Sequence, residues 1–127
     1  MDKKLIAKIE GKVDLVWETL IECGHTRLVR INPPAIIFNN RFYRCAGRSH
    51  QQERIVELGS KFFGAYANEM LRVIVPHEVI HQADFDLFGF SDKKCGHGTN
   101  WRMLMLQYGL PDDKFHSLHI DARGNKL

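Results

Sequence analysis

Apolar residues recur at helical spacing from the start of the chain. Ile6, Ile9, Val13, Val16, Trp17, Leu20 and Ile21 form one stripe, while Lys4, Lys8, Glu10, Asp14, Glu18 and Glu22 fall mostly elsewhere. Such a stripe marks an amphipathic helix laid on a core, here over residues 2–22. Gly11 weakens it mildly. Cys23-Gly24 ends it, glycine being the usual residue just past a helix.

The period then shortens towards two. Leu28 to Ile31 alternates apolar residues with arginine, and Pro33-Pro34 marks a turn or an edge. Ala35 to Phe38 predicts a short apolar strand, and Asn39-Asn40 suits the positive φ of a hairpin turn. Arg41 to Ala46 alternates again, Gly47 to His50 predicts a second turn, and Gln52 to Leu58 a further strand. Together they predict a small, mostly antiparallel sheet of three strands, or four with Leu28 to Ile31. Gly59 to Ala67 predicts a connection with a helical turn, anchored by Phe62 and Phe63.

Helical spacing returns from Asn68 to Phe90, carried by Met70, Val73, Ile74, Ile80, Ala83 and Leu87. Asn68 is a natural N-cap with Glu69 in the first turn, and Gly89 a natural stop. Pro76 interrupts the pattern. It removes a backbone donor and predicts a kink or a fresh segment at that point. Ser91 to Gly98 predicts a loop, and a short helix starts at Thr99 or Asn100, with Gly109 and Pro111 closing it. Phe115 to Ile120 predicts a last strand and Asp121 to Leu127 a frayed tail. The fold class expected is α+β, one domain over residues 1–127.

Composition limits the function classes. A chain of 127 residues, 44% hydrophobic and 26% charged, can bury a real core as one domain. No apolar run approaches the length of about 18 residues that a membrane span needs. Glu10, Asp14 and Glu18 interrupt any signal-peptide core. Three scattered cysteines, Cys23, Cys45 and Cys95, make no disulfide framework and fit a reducing compartment. A cytoplasmic location is therefore expected. Net charge is only +3, yet the stretch from Gly24 to Gln52 holds five arginines (Arg27, Arg30, Arg41, Arg44, Arg48) and no acid. Such a basic block suits DNA or another acidic partner, or else a solvated sheet face.

The chemistry sits on the second helix. Residues 77–81 read His-Glu-Val-Ile-His, and His97 follows in Cys-Gly-His-Gly. With 7 His in 127 residues, such a motif arises by chance in roughly 2% of chains, so its context decides. On a helix, His77 and His81 project from one face. His97, between Gly96 and Gly98, can approach them closely. A catalytic zinc takes three protein ligands and keeps one position open. His77, His81 and His97 supply three nitrogens, and Glu78 is the candidate general base, taking a proton from water and passing it to a leaving amine. Asp84 and Asp86 are either partners that orient a ligand imidazole or, more simply, solvated helix residues. Tyr66, His50, His116 and His119 can each donate to an oxyanion, and the sequence does not choose among them. A competing set, Cys23, His25, Cys95 and His97, could close a structural zinc site. Its one-residue gaps are tight, and it leaves Glu78 unexplained.

Val75-Pro76-His77-Glu78-Val79-Ile80-His81, and Gly96-His97-Gly98 followed by Trp101 and Met103, resemble the SprT-like zinc metallopeptidases, which include the protease domain of Spartan. Ile37-Phe38-Asn39-Asn40-Arg41, Ala46-Gly47 and Ile55 to Leu58 look like that family's strand pattern, so the likeness covers about residues 1–120. It implies a minimal zincin-like domain: N-terminal helix, small sheet, motif helix and a following short helix. It also implies Zn2+ on His77, His81 and His97, Glu78 as the catalytic residue, and proteolysis linked to DNA. Many relatives continue into a zinc ribbon of four cysteines. No cysteine follows Cys95 here, so no ribbon is expected, and DNA contact would fall to the basic 24–52 region. The expected function is a zinc-dependent endopeptidase acting on a protein or peptide, associated with DNA. The rival is a non-catalytic DNA-binding module with a structural zinc.

Overall fold

The computed structural model describes residues 1–89, 97–112 and 118–127. Helix α1 (Lys3–Glu22) opens on Asp2, whose carboxylate accepts the Lys4 N–H at 2.9 Å, satisfying one of the orphan donors of a helix start. The predicted stripe is the buried one: Ile9, Val13, Val16, Trp17 and Leu20. Gly24, at φ +109°, turns the chain away.

The segment Thr26–Arg30 is a 3-10 turn, not a strand. A four-residue alternation fits either, because Leu28 and Ile31 also lie one 3-10 turn apart. Two hydrogen bonds decide it. The indole of Trp17 donates to the carbonyls of Leu28 and Ile31, at 3.2 and 2.8 Å, so those carbonyls are not free for a sheet. Leu28 is buried beneath them.

The sheet has three strands, β1 (Ala35–Asn39), β2 (Gly47–His50) and β3 (Ile55–Gly59), in the order β1-β3-β2. It is mixed rather than mostly antiparallel: β1 runs parallel to β3 and β2 antiparallel to it. The expected hairpin at Asn39-Asn40 does not form. The Asn39 side chain accepts the Arg41 N–H at 2.8 Å and donates to Glu57 at 3.0 Å. This local turn ends β1 and ties it sideways to β3. Residues 41–46 are a connection, and the segment read as a turn, Gly47–His50, is an edge strand. The alternating aromatics of that connection face arginines instead of a ladder, Tyr43 under Arg44 and Phe42 under Arg48.

Helix α2 (Ser60–Ala65) buries Phe62 and Phe63, as the connection predicted. A short α3 (Ala67–Glu69) then passes into a π-helical turn, Met70–Ile74, and on into α4 (Val75–Phe88). The Val75 N–H bonds to the Met70 carbonyl five residues back. The π turn ends where Pro76 enters the first turn of α4, a position whose N–H is orphaned in any helix. The expected disturbance at Pro76 is therefore a change of helical pitch, and a fresh α segment begins one residue before the proline.

Every residue from Val75 to Asp84 is buried, and α4 packs on α1, α5 (Thr99–Tyr108) and β2. A helix buried on all sides is the centre of its domain. Trp101, Leu104 and Met105 anchor α5. Gly109 closes it in the left-handed region, its N–H reaching the Leu106 and Met105 carbonyls, as the pattern predicted. The C-terminal segment is not frayed. Asp121 accepts from the Arg123 and Asn125 backbones, Lys61 donates to the Ala122 carbonyl, and Ile120 bridges Lys126. Of the predicted strand at 115–120, residues 115–117 lie outside the described residues. Among the described residues, no helix is long and apolar enough to cross a membrane.

Candidate metal centre

Helix α4 presents His77 and His81 one turn apart, each only 6% exposed. His97, just before α5, completes a triangle of Nε2 atoms. The separations are 3.3 Å for His77–His81, 2.9 Å for His81–His97 and 3.4 Å for His77–His97. Two nitrogens on a tetrahedral zinc, each bonded at 2.0–2.1 Å, stand about 3.3–3.4 Å apart. Two edges of the triangle meet that distance and the third is somewhat shorter. Three imidazoles aimed at one point cannot all share protons, and a cation at their focus turns lone-pair repulsion into coordination. The donor set therefore fits a metal ion.

Burial supports the same reading. His81 is held well below the usual histidine range, first by desolvation and then by the charges of His77 and His97. A neutral imidazole is the form that binds a metal. Trp101, wholly buried, touches all three rings, with centroids at 5.0, 5.2 and 4.5 Å from His77, His81 and His97, and stacks on His81 at 19°. This indole is the floor of the site.

Glu78 is also buried, at 6% exposure, with Oε1 4.0 Å from the His77 Nε2. Desolvation pushes its carboxyl up to about 8. A glutamate so placed has a proton affinity matched to acid–base work near neutrality.

The residues matched by the SprT-like family profile run from 24 to 119 and include this whole site. The chain belongs to the SprT-like family. It is 32% identical over 91 residues to Protein SprT of Pseudomonas syringae pv. syringae, covering 71% of this chain and 54% of that protein. The Vibrio parahaemolyticus Protein SprT is 27% identical over 90 residues, 70% of this chain and 52% of that one. The chain spans about half the length of the curated relatives it matches. No solved structure matches it significantly.

In this SprT-like chain, several residues read as site candidates are engaged elsewhere. His50 bonds Glu57 at 2.9 Å on the sheet. That bond, then Asn39, holds the Glu57 carboxyl below the usual range. The Tyr66 hydroxyl meets the His119 backbone at 3.0 Å. His116, Cys95 and Gly96 lie outside the described residues. Cys23 and His25 both bond to Gln107, whereas His97 sits with His77 and His81, so among the described residues Cys23, His25 and His97 do not form a metal cluster.

Asp84 and Asp86 are not solvated. Asp84 is 5% exposed and its carboxyl is pushed up to about 6 by desolvation. Asp86 pairs with Arg54 at 2.5 Å and accepts from Gln82 at 3.0 Å. This last cluster braces the site from behind. Gln51 donates to the His81 carbonyl at 3.2 Å, Gln82 donates to the Gln51 carbonyl at 3.1 Å, and Arg54 also reaches the Asn32 carbonyl. The turn between β2 and β3 is thereby fastened to α4. Sequence reading missed Gln51, Arg54 and Gln82. Their one distinguishing mark is the positive φ that Arg54 adopts (59°), which is visible only in the folded chain.

The five arginines are dispersed. Arg27 donates to the Leu87 and Asp86 carbonyls at the end of α4. Arg44 and Arg48 lie over Tyr43 and Phe42. Arg41 and Arg30 are exposed.

Proposed function

We propose that this chain is a zinc-dependent endopeptidase of the SprT-like type. The observation that carries the reading is the buried triangle of Nε2 atoms with the Glu78 carboxylate beside it. A zinc ion held by His77, His81 and His97 would supply Lewis acidity, bringing a water's pKa towards neutrality and polarising a carbonyl. The cation's charge would also favour the ionised form of the Glu78 carboxyl, which stands at about 8 without it. Glu78 then takes the proton from the attacking water, holds it on a carboxylate oxygen and delivers it to the leaving amine. Trp101 keeps the imidazoles in place and bulk water out. The rival, a binding module with a structural zinc, has no use for Glu78. A carboxylate buried at such cost beside the ligands supports catalysis instead.

The same proposal includes association with DNA, through Arg41, Arg44 and Arg48 rather than Arg27. Arg44 and Arg48, exposed and lying over aromatic rings, with Arg41 exposed nearby in sequence, suit single strands, where bases stack and phosphates pair with guanidinium groups. The three scattered cysteines suit work in a reducing compartment such as the cytoplasm. The test is digestion of casein or a histone by the zinc-loaded chain, with and without single-stranded DNA, beside the Glu78→Gln variant and with metal content measured in both. Cleavage by wild type alone, at equal zinc, is expected. Equal cleavage by the variant overturns the reading.

A further inference from the structure

Gly47 faces Glu78 across the gap between β2 and α4. A Cβ at this position would lie 3.1 Å from the Glu78 Cγ, 3.3 Å from the Ile74 Cγ2 and 3.3 Å from the Leu58 Cδ2. Backbone conformation does not demand a glycine here, since Gly47 is not among the positive-φ glycines. Glycine inside a strand costs entropy and packs nothing, and commonly marks the close approach of another group. The group nearest to where a side chain would begin is the stem of Glu78.

We infer that Gly47 is a positioning residue for Glu78. Its bare α-carbon is the wall against which the glutamate stem rests, and this wall fixes where the carboxylate points. The strand cannot retreat to make room. The Gly59 N–H holds the Ala46 carbonyl at 2.8 Å, and the Cys45 thiol donates to the Gly47 carbonyl at 3.0 Å. Ile74 and Leu58, both fully buried, close the same space beside Glu78. An added methyl therefore moves the Glu78 stem by a few tenths of an ångström. A fold absorbs such a shift at modest cost. A catalytic base is less tolerant: a misplacement of about 1 Å costs on the order of 100-fold, so a shift of a few tenths at the stem corresponds to roughly 3- to 10-fold. The functional unit thus extends from the five-residue motif to a glycine on the neighbouring edge strand.

The inference rests on the endopeptidase reading, and its test separates the two. Gly47→Ala, zinc-loaded and in the full chain, is expected to keep its zinc. Its kcat should fall roughly 3- to 10-fold with KM within about twofold. Gly11→Ala is the control, because a Cβ there meets nothing within 4 Å, and it should leave kcat unchanged. Gly47→Ala/Leu58→Val removes the Leu58 Cδ2 and so relieves general crowding. It should not recover kcat, and it serves as the test if the single variant fails to fold.

A readout independent of turnover is the 13C carboxyl resonance of Glu78, which should move in Gly47→Ala and stay in Gly11→Ala. Unchanged kcat in Gly47→Ala, recovery in the double variant, or an unmoved resonance overturns the inference. Absence of cleavage by wild type overturns the peptidase reading instead, and the resonance then decides the position of Gly47 by itself.

Discussion

The histidine motif and the arginine-rich stretch are both conspicuous as sequence, and the fold treats them in opposite ways. Residues 77–81 become one buried helical face whose two imidazoles meet a third from 16 positions away. The five arginines between residues 24 and 52 scatter: one fastens the end of α4, two lie over aromatic rings, two are exposed. The difference is one of range. A pair at i and i+4 is fixed by helix geometry alone, so its meaning survives folding. A run of like charges along an irregular chain carries no geometry, and each side chain takes the partner that tertiary structure offers.

The largest effect should fall on the histidine side of this contrast. Glu78→Gln is expected to lower kcat by about 1000-fold while zinc stoichiometry, measured by plasma mass spectrometry, stays the same. His97→Ala should instead lose the metal, since only two ligands remain. If Glu78→Gln and His97→Ala both lost zinc and activity together, the separate roles assigned to base and ligand would collapse.

The pH dependence of stability sharpens the same side. In the metal-free protein the Glu78 carboxyl stands at about 8, against 4.5 for an ordinary glutamate. Below pH 4.5 both states hold the proton. From there up to about 8 the unfolded chain releases it while the folded chain keeps it, so stability falls as pH rises through this window. His81 works the other way, being depressed below 6.5, and removes stability as pH falls below that value. Glu78→Gln deletes only the first effect. Its stability gain over wild type should grow from nothing near pH 4.5 to roughly 3–5 kcal/mol near pH 8, at 1.36 kcal/mol per unit. Chemical denaturation of the metal-free pair across this range is the measurement, and parallel curves would mean that Glu78 is not desolvated.

Behind the site, Arg54→Ala leaves the Asp86 carboxylate, 7% exposed, without its guanidinium. Arg54 is itself about one-third exposed, so the destabilisation should be about 2 kcal/mol, below that for a fully buried pair. Because the same turn carries Gln51 onto the His81 carbonyl, zinc affinity should weaken as well. A drop in stability with unchanged zinc affinity would separate the brace from the metal centre.

What sequence could and could not supply follows from the same distinction. Helix α1, the motif helix, the stop at Gly109 and the pairing of His77 with His81 were legible, because each is written in local period or spacing. The pairing of β1 with β3 was not. Asn39-Asn40 reads as a hairpin turn, and nothing nearby reveals that the Asn39 amide will reach Glu57 on a later strand. The strand at Gly47–His50 was hidden for a related reason: glycine, arginine, serine and histidine have no strand pattern, and their place is set by pairing with β3 and by Glu78 behind Gly47. Asp84 and Asp86 looked solvated because helical charge usually is. Only the packing of α4 at the centre of the domain buries them.

The smallest effects should fall among the arginines, where the two roles separate cleanly. Arg27 is exposed, yet it donates to two carbonyls at the C-terminal end of α4, at 2.9 and 3.3 Å, where a cation also meets the negative end of the helix dipole. Arg27→Ala should therefore cost about 1 kcal/mol of stability. Arg44 and Arg48 are exposed and lie over the faces of Tyr43 and Phe42, at 5.3 Å each, so Arg44→Ala and Arg48→Ala should each stay within about 0.5 kcal/mol of wild type. Titration of a fluorescent single-stranded oligonucleotide should reverse the order. Removing Arg44 or Arg48 should weaken binding and lower the salt slope by about 0.7 for each phosphate that is no longer neutralised, and removing Arg27 should not. Equal slopes for all three variants would leave the basic stretch as a solvated surface with one structural arginine, and the proposed DNA association would need another face.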